Sequence, residues 1–387
     1  MKKIVFVGLL LVSAFRALSQ EMDYSHLYNP KAELSLDHQL VQEGDKLIVL
    51  FAMKIQNQNY QLYDYTFELY NLENYSSEFT APLVKDSYDS IYLESNASTH
   101  YFKFVLNDLP PLPLLVLEIK NKKTGFGLSF DLPLYDKQNL FLNNGSAHKF
   151  VNNWTAPTQI SFNSDNIYCY YYNQSFPLGL PPMVTKDDFK NKELKVDSSF
   201  SSSGTAKLKG QGLYLFMTDT AGTEAVSLRV VYEYFPKMTT IDQLVEPLRY
   251  ITSRDEQVVL EGIEGDKRKF DKFWLNLTGS ASRAKSIIKV YYSRVEEANA
   301  MFTTYKEGWR TDMGMIYSVM GPPDEVIKSF NEETWVYLAN RNLPKRKYSF
   351  IRAASVFSKS HFVLIREKKH AESWFETIDL LRKGIFR

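Results

Sequence analysis

The segment Glu307-Gly308-Trp309-Arg310-Thr311-Asp312-Met313-Gly314-Met315-Ile316-Tyr317-Ser318-Val319-Met320-Gly321-Pro322-Pro323-Asp324-Glu325-Val326 reads as one short helix with a stop signal at each end. Thr311 or Asp312 can accept the orphaned amide hydrogens of a helix beginning at Met313. Gly321 suits a left-handed residue just past its end, and Pro322-Pro323 forbids continuation. Gly308 permits a sharp turn before the helix, while Trp309 can bury a large apolar area and still donate one hydrogen bond. A capped helix thus accounts for nearly every residue type. The functional alternative is a recognition surface formed by Trp309, Arg310, Thr311, Asp312, Pro322, Pro323 and Asp324, because an arginine beside an exposed aromatic ring is typical hot-spot composition.

Upstream of this segment the hydrophobic period is helical. Thr240 can cap a helix through Ile241, Leu244 and Leu248, and Ser253-Arg254-Asp255-Glu256 matches a capping box. Ala284, Ile288, Tyr291, Val295, Ala298 and Phe302 recur at intervals of three and four, one apolar stripe on a long helix. Downstream, Glu325 to Ser329, Thr334 to Leu338, Tyr348 to Ile351 and His361 to Arg366 read as strands, and Trp374, Phe375, Ile378 and Leu381 mark a closing amphipathic helix. Residues 239–387 are therefore expected to form an α+β domain.

The run from Glu307 to Val326, with Phe273-Trp274 before it and Glu333-Thr334-Trp335-Val336-Tyr337 after it, resembles the signature of the GWxTD domain family of bacterial exported proteins. The resemblance covers about the last 150 residues. It departs at Met313, Met315 and Ser318, where the family pattern often carries arginine or other residues, so any role of an arginine after the aspartate is missing here. The resemblance implies a fold and an exported location rather than a reaction. The helix, the Gly-Pro-Pro stop and the strands after it also look like the small helix-plus-meander domain of outer-membrane assembly lipoproteins, which points to envelope assembly.

The rest of the chain is β-patterned. Leu34 and Leu36, then Leu47, Val49, Phe51, Met53 and Ile55 after a Glu43-Gly44-Asp45 turn, fall on one face at period two. Tyr63 to Leu69, Tyr101 to Leu106, Leu114 to Ile119 and Phe126 to Leu132 continue the pattern, the last two joined by a hairpin at Asn121 to Gly125. Residues 20–138 are read as an immunoglobulin- or fibronectin-like β-sandwich. A polar Asn- and Gly-rich stretch, Asn139 to Asn153, separates a second β-rich module, residues 139–238. In it Ile160 to Phe162 and Ile167 to Tyr172 read as strands, Phe200 to Gly204 as a loop, and Leu213 to Met217 with Val226 to Phe235 as a hairpin about Asp219-Thr220-Ala221-Gly222. The expected whole is multidomain and β-rich: two sandwich-like modules followed by the α+β domain.

Residues 1–19 read as a cleaved signal peptide: basic Met1-Lys2-Lys3, an apolar run from Ile4 to Phe15, and small residues at Ala17-Leu18-Ser19. The apolar run is too short to span about 30 Å of hydrocarbon, so no transmembrane segment is expected after cleavage. One cysteine, Cys169, in an exported chain rules out an intramolecular disulfide and fits a Gram-negative bacterial envelope, periplasmic by default or associated with the outer membrane and the cell surface. Lys plus Arg total 46 and Asp plus Glu 45, so no global field attracts nucleic acid. Aromatic residues make up 14%, which suits pleated surfaces.

A search for chemistry finds no catalytic set. The six histidines show no pair at ligand spacing, and no His-Glu-x-x-His, cysteine cluster or Gly-x-Ser-x-Gly elbow occurs. No enzyme activity, metal or cofactor is expected. Two glycosylation acceptors of the Asp-Ser/Thr-aliphatic type are Ser90 in Asp89-Ser90-Ile91 and Thr220 in Asp219-Thr220-Ala221, the second on a hairpin tip. The expected function is a non-enzymatic scaffold whose partner is another envelope protein. The alternative is a carbohydrate-binding or carbohydrate-active protein whose partner is a glycan held on aromatic patches of the β modules.

Overall fold

A computed structural model describes residues 22–140, 142–143, 153–185 and 194–386. The segment read as a signal peptide lies outside the described residues. The first module places β1 (Leu34–Glu43), β2 (Lys46–Ile55), β3 (Tyr65–Leu72), β4 (Tyr88–Asn96), β5 (Thr99–Leu106), β6 (Leu114–Asn121) and β7 (Gly127–Pro133) in two antiparallel sheets, β1-β2-β5-β4 and β3-β6-β7. Leu47, Val49, Phe51 and Met53 line the shared core with Leu115, Leu117 and Ile119, the alternation expected of a sandwich. Gly125 takes the positive-φ position in the β6–β7 turn, its N–H bonded to the Asn121 carbonyl at 2.8 Å.

The second module contains β8 (Leu142–Asn143), β9 (Asn153–Thr155), β10 (Thr158–Phe162), β11 (Ile167–Tyr172), β12 (Ser198–Ser202), β13 (Thr205–Leu208), β14 (Gly212–Met217) and β15 (Val226–Val231). They form the sheets β13-β10-β8 and β12-β11-β14-β15-β9 around Trp154, Ile160, Cys169 and Phe216. The segment from Phe200 to Gly204, expected as a loop, is instead the end of edge strand β12 and a tight turn at Gly204, whose φ is +71°. Its serines carry no apolar period because the strand is solvent-facing along most of its length. Cys169 is buried, and burial pushes its thiol up to about 12, far from a nucleophile's range.

In the C-terminal domain α1 (Ile241–Val245), α2 (Arg254–Glu261), α3 (Lys267–Thr278), α4 (Ala281–Phe302) and α5 (Asp312–Met320) precede the meander β16 (Glu325–Lys328), β17 (Glu332–Tyr337), β18 (Arg346–Arg352) and β19 (Phe362–Leu364), and α6 (His370–Arg382) closes it. The capping box read at Ser253 forms with Glu256, and Thr240 caps α1 as the sequence implies, with Gln243 completing a second box there. Helix α5 is buried at every position, with Trp335, Tyr337 and Phe350 of the sheet in the same core.

The three parts share cores. On β6, Leu115 and Leu117 point into the sandwich while Leu114 and Val116 join the C-terminal core with Tyr70 and Tyr75, so both faces of that strand are covered. That explains its unbroken apolar run. Likewise β14 gives Tyr214 and Phe216 to its own module, and gives Leu213, Leu215 and Met217 to a contact with Tyr305, Val356 and Phe357. A buried ion cluster reinforces the first junction: Lys328 Nζ lies 2.8 Å from Asp131, which accepts a hydrogen bond from Tyr75 at 2.8 Å, and 3.7 Å from Glu333. Burial alone would raise the Asp131 carboxyl, yet the Lys328 charge and the hydrogen bonds hold it below its ordinary value.

Candidate functional site

Two glycines let three backbone segments touch at the motif. A Cβ on Gly308 would stand 1.9 Å from the Ala298 carbonyl oxygen of α4, and one on Gly314 would stand 1.9 Å from the carbonyl of Gly308. The 3-10 turn Gly308–Arg310 is thereby pressed between α4 and α5. Gly308 is thus needed for close approach, beyond the turn the sequence implied. Gly321 has φ +83° and ψ −168°, positive as expected but extended rather than left-handed helical, and its N–H bonds to the Tyr317 carbonyl.

Trp309 is 0% exposed. Its Nε1 donates to Glu307 at 2.8 Å and its backbone N–H to Asn299 Oδ1 at 3.2 Å. Arg310 lies over the indole with its guanidinium carbon 4.6 Å from the ring centroid, donates to Glu307 and pairs with Glu246. The second oxygen of Glu307 meets Arg229, a residue of β15, at 3.3 Å. Thr311 is the N-cap: its hydroxyl accepts from Gly314 N–H at 3.0 Å and donates to the Gly308 carbonyl at 2.7 Å.

Asp312, at the first helical position, does different work. One oxygen accepts from the backbone N–H of Leu364 at 2.8 Å, and the other meets Arg366 at 2.6 Å. The motif aspartate therefore fastens α5 to the end of β19. Arg366 also donates to the Leu180 carbonyl, and Gly179 N–H donates to the Arg310 carbonyl at 2.8 Å, so the segment after β11 is tied into the same knot. Lys306, next to the motif, is buried with Nζ donating to the Pro177 carbonyl; desolvation pushes its amine down to about 8. Desolvation, then the Lys306 charge, pushes His361 down to about 4.

The expected recognition surface is corrected on this geometry. Trp309, Thr311, Asp312 and Pro323 are buried, Arg310 and Pro322 are half-buried, and Asp324 is exposed while accepting a hydrogen bond from Leu338 N–H at 2.6 Å. A tryptophan beside an arginine has the same composition in a core as at an interface, and here the indole supplies apolar volume to the core. The residues that complete the network, Arg229, Lys306, His361 and Arg366, were missed because their partners are distant in sequence; only the adjacency of Lys306 to the motif hinted at it. Ser90 is exposed on edge strand β4, and Thr220 is exposed on the β14–β15 turn, where the sequence put it. Among the described residues no group of three His, Cys, Asp or Glu side chains could hold a metal ion, and no helix is long and apolar enough to cross a membrane.

The GWxTD domain family matches residues 212–383, starting at the first residue of β14 and so including the hairpin that carries Arg229. No curated protein matches the chain. Among solved structures, a chain from the complex of a Dpr immunoglobulin domain with DIP-gamma is 10% identical over 51% of this chain and 96% of that one, with a TM-score of 0.18. A tandem pair of titin immunoglobulin domains is 9% identical over 52% of this chain and 96% of that one, also with a TM-score of 0.18.

Proposed function

We propose that this chain, a GWxTD-domain protein by residues 212–383, is an exported, non-enzymatic component of the bacterial cell envelope that works by binding another protein. The observation that supports a scaffold over a catalyst is where the motif's polar groups go. Asp312 is taken up by Arg366 and Leu364, and Glu307 by Trp309, Arg310 and Arg229; both carboxylates are spent on holding elements together. Catalytic acids and bases need a substrate within hydrogen-bond reach, and these face other parts of the chain. The partner is then met by the accessible surfaces of the three joined modules, with the motif fixing their arrangement. The apolar run after Met1-Lys2-Lys3 supports export, and the periplasm or the outer membrane is the proposed location.

Photo-crosslinking from exposed positions tests this in native envelopes: Val258 and Phe375 on the helices, Tyr63 and Phe126 on the first sandwich. One stoichiometric protein adduct from one face is the expected result. Absence of adducts from every position, in a protein that fractionates outside the envelope, would reject the reading. A carbohydrate-binding role has one observation in its favour, exposed Tyr63 beside Tyr60 and Lys123, with Nζ 6.0 Å from the Tyr63 ring. A glycan-array signal lost on Tyr63→Ala would move the assignment there.

A further inference from the structure

Helix α3 presents two faces. Phe270, Phe273, Trp274 and Thr278 are buried, as the core side of a packed helix requires. Lys269, Lys272, Phe273, Asn276 and Leu277 fall at i, i+3, i+4, i+7 and i+8, and this second face lines an open groove of about 520 Å³. The other wall is Glu256 and Val259 of α2 with Ile263 past its end, and Arg382 of α6 lines the groove as well. Ile263 and Phe273 are buried and form the floor, whereas Val259 is 58% exposed and its neighbour Val258 is exposed too.

The charges of the groove do not cancel. Its one carboxylate, Glu256, is held by Arg382 at 2.5 and 3.2 Å and accepts from Ser253 N–H at 2.7 Å. Lys269 donates to a neutral group, the Gly262 carbonyl, at 2.9 Å, and among the described residues Lys272 and Asn276 meet no partner. Asp271, the acid next to Lys272 in sequence, pairs with Lys267 instead. Two ammonium groups are thus left over beside apolar surface that faces water. A small ligand needs most of its surface buried, which an open groove cannot provide, and the covered floor leaves no depth to sheathe an acyl chain. From Lys269 to Leu277 the groove runs about 12 Å along α3, roughly two helical turns. We infer that it receives an amphipathic helix of a partner protein, with apolar residues at i, i+3 or i+4 and i+7 against Val259, Phe273 and Leu277, and with flanking Asp or Glu residues on Lys269 and Lys272. The inference rests on the reading that this chain works by binding another protein, and adds which surface binds and what it recognises.

The test places the photo-crosslinker benzoylphenylalanine at Val259 of the full-length chain in native envelopes and sequences the captured segment by mass spectrometry. The expected adduct is a protein segment with apolar residues at helical spacing flanked by carboxylates. That segment, synthesised and fluorescently labelled, should bind the purified chain with an affinity that falls as salt rises. Lys272→Glu should weaken binding about fivefold, and exchanging the acids of the segment for lysine should restore binding to this variant while the native chain loses it. Lys272 is exposed, and Lys272→Gln, which removes the charge without reversing it, gives the same direction if the glutamate variant does not fold. A captured segment that is basic or lacks the helical spacing, an adduct to lipid, or binding indifferent to salt and to both Lys272 variants overturns the inference. Adducts from Tyr63 or Phe126 with none from Val259 would overturn it and leave the broader reading standing, whereas no adduct from any position would remove both.

Discussion

The GWxTD turn and the first β-sandwich hold their cores together in opposite ways. In the sandwich, Leu47, Val49, Phe51 and Met53 alternate along β2, and what matters at each place is that the side chain be apolar and of suitable volume. In the turn, Gly308 and Gly314 are fixed by backbone contacts a methyl group would violate, and Asp312 by two partners from outside its own element. Alternation spreads the specification of a fold over many interchangeable residues, whereas the turn concentrates it in a few that cannot be exchanged. A recognisable motif can therefore mark a construction joint without marking a binding face.

The sharpest way to break that contrast is at glycine. Gly308→Ala should cost more than about 4 kcal/mol, at the extreme of single substitutions, because the added carbon meets backbone that cannot step aside. Gly125→Ala, in a sandwich turn with open space around it, should cost about 1–2 kcal/mol for its positive φ alone. Urea unfolding of both variants compares them directly; equal costs would mean that the turn is no more demanding than a hairpin.

Next in size is the aspartate. Asp312→Ala leaves Arg366 largely buried without its carboxylate and should destabilise by about 3–5 kcal/mol. Val49→Ile in the sandwich should cost less than about 3 kcal/mol, the upper range for overpacking by one methylene. Adding Arg366→Leu to Asp312→Leu should recover part of the loss, since the pair is then removed together. A double variant no more stable than the single one would show that the Leu364 N–H bond, rather than the ion pair, carries the effect.

How legible each region was follows from the same difference. The helical stripe, the cap at Thr240, the capping box at Ser253, a helix cap at Thr311 or Asp312 and the four-stranded meander were readable because each is a local pattern; that Thr311 is the cap and Asp312 the first helical residue was not. Strand β4 was not read: Tyr88 is buried, but Asp89 to Tyr92 and Glu94 to Asn96 are exposed, so this edge strand carries no apolar period. The burial of Trp309 was not readable either, because residue type does not reveal which side of a turn meets the core. Arg229 and Arg366 are invisible for a plainer reason: their charge partners lie 78 and 54 residues away.

A third comparison uses protons. His361, beside the motif, stays neutral down to about pH 4 in the folded chain, against about 6.5 for an unperturbed histidine. Above pH 6.5 the ring is neutral in both states and contributes no pH dependence. Between 6.5 and 4 the unfolded chain takes up a proton that the folded one refuses, so stability falls as pH falls, by on the order of 3 kcal/mol in all. The difference in unfolding free energy between the native chain and His361→Gln should therefore shift by that amount between pH 7 and pH 4. A difference that stays constant over this range would show that the ring titrates normally and that the motif's surroundings are wetter than their packing implies.

The smallest effect is expected where the network reaches solvent. Glu246, whose side chain is 52% exposed, pairs with Arg310 from the outer side, while Glu307 holds the same guanidinium from within. Water competes for the outer bond and salt screens it, so Glu246→Gln should cost only about 0.2–1 kcal/mol and lose that cost in high salt. Glu307→Gln removes the charge that both Arg310 and Arg229 face and should cost several times more. Salt-dependent melts of the two variants order the layers of the joint. If Glu246→Gln proves the costlier change, Arg310 is anchored from outside, and the turn is fastened by its rim instead of its core.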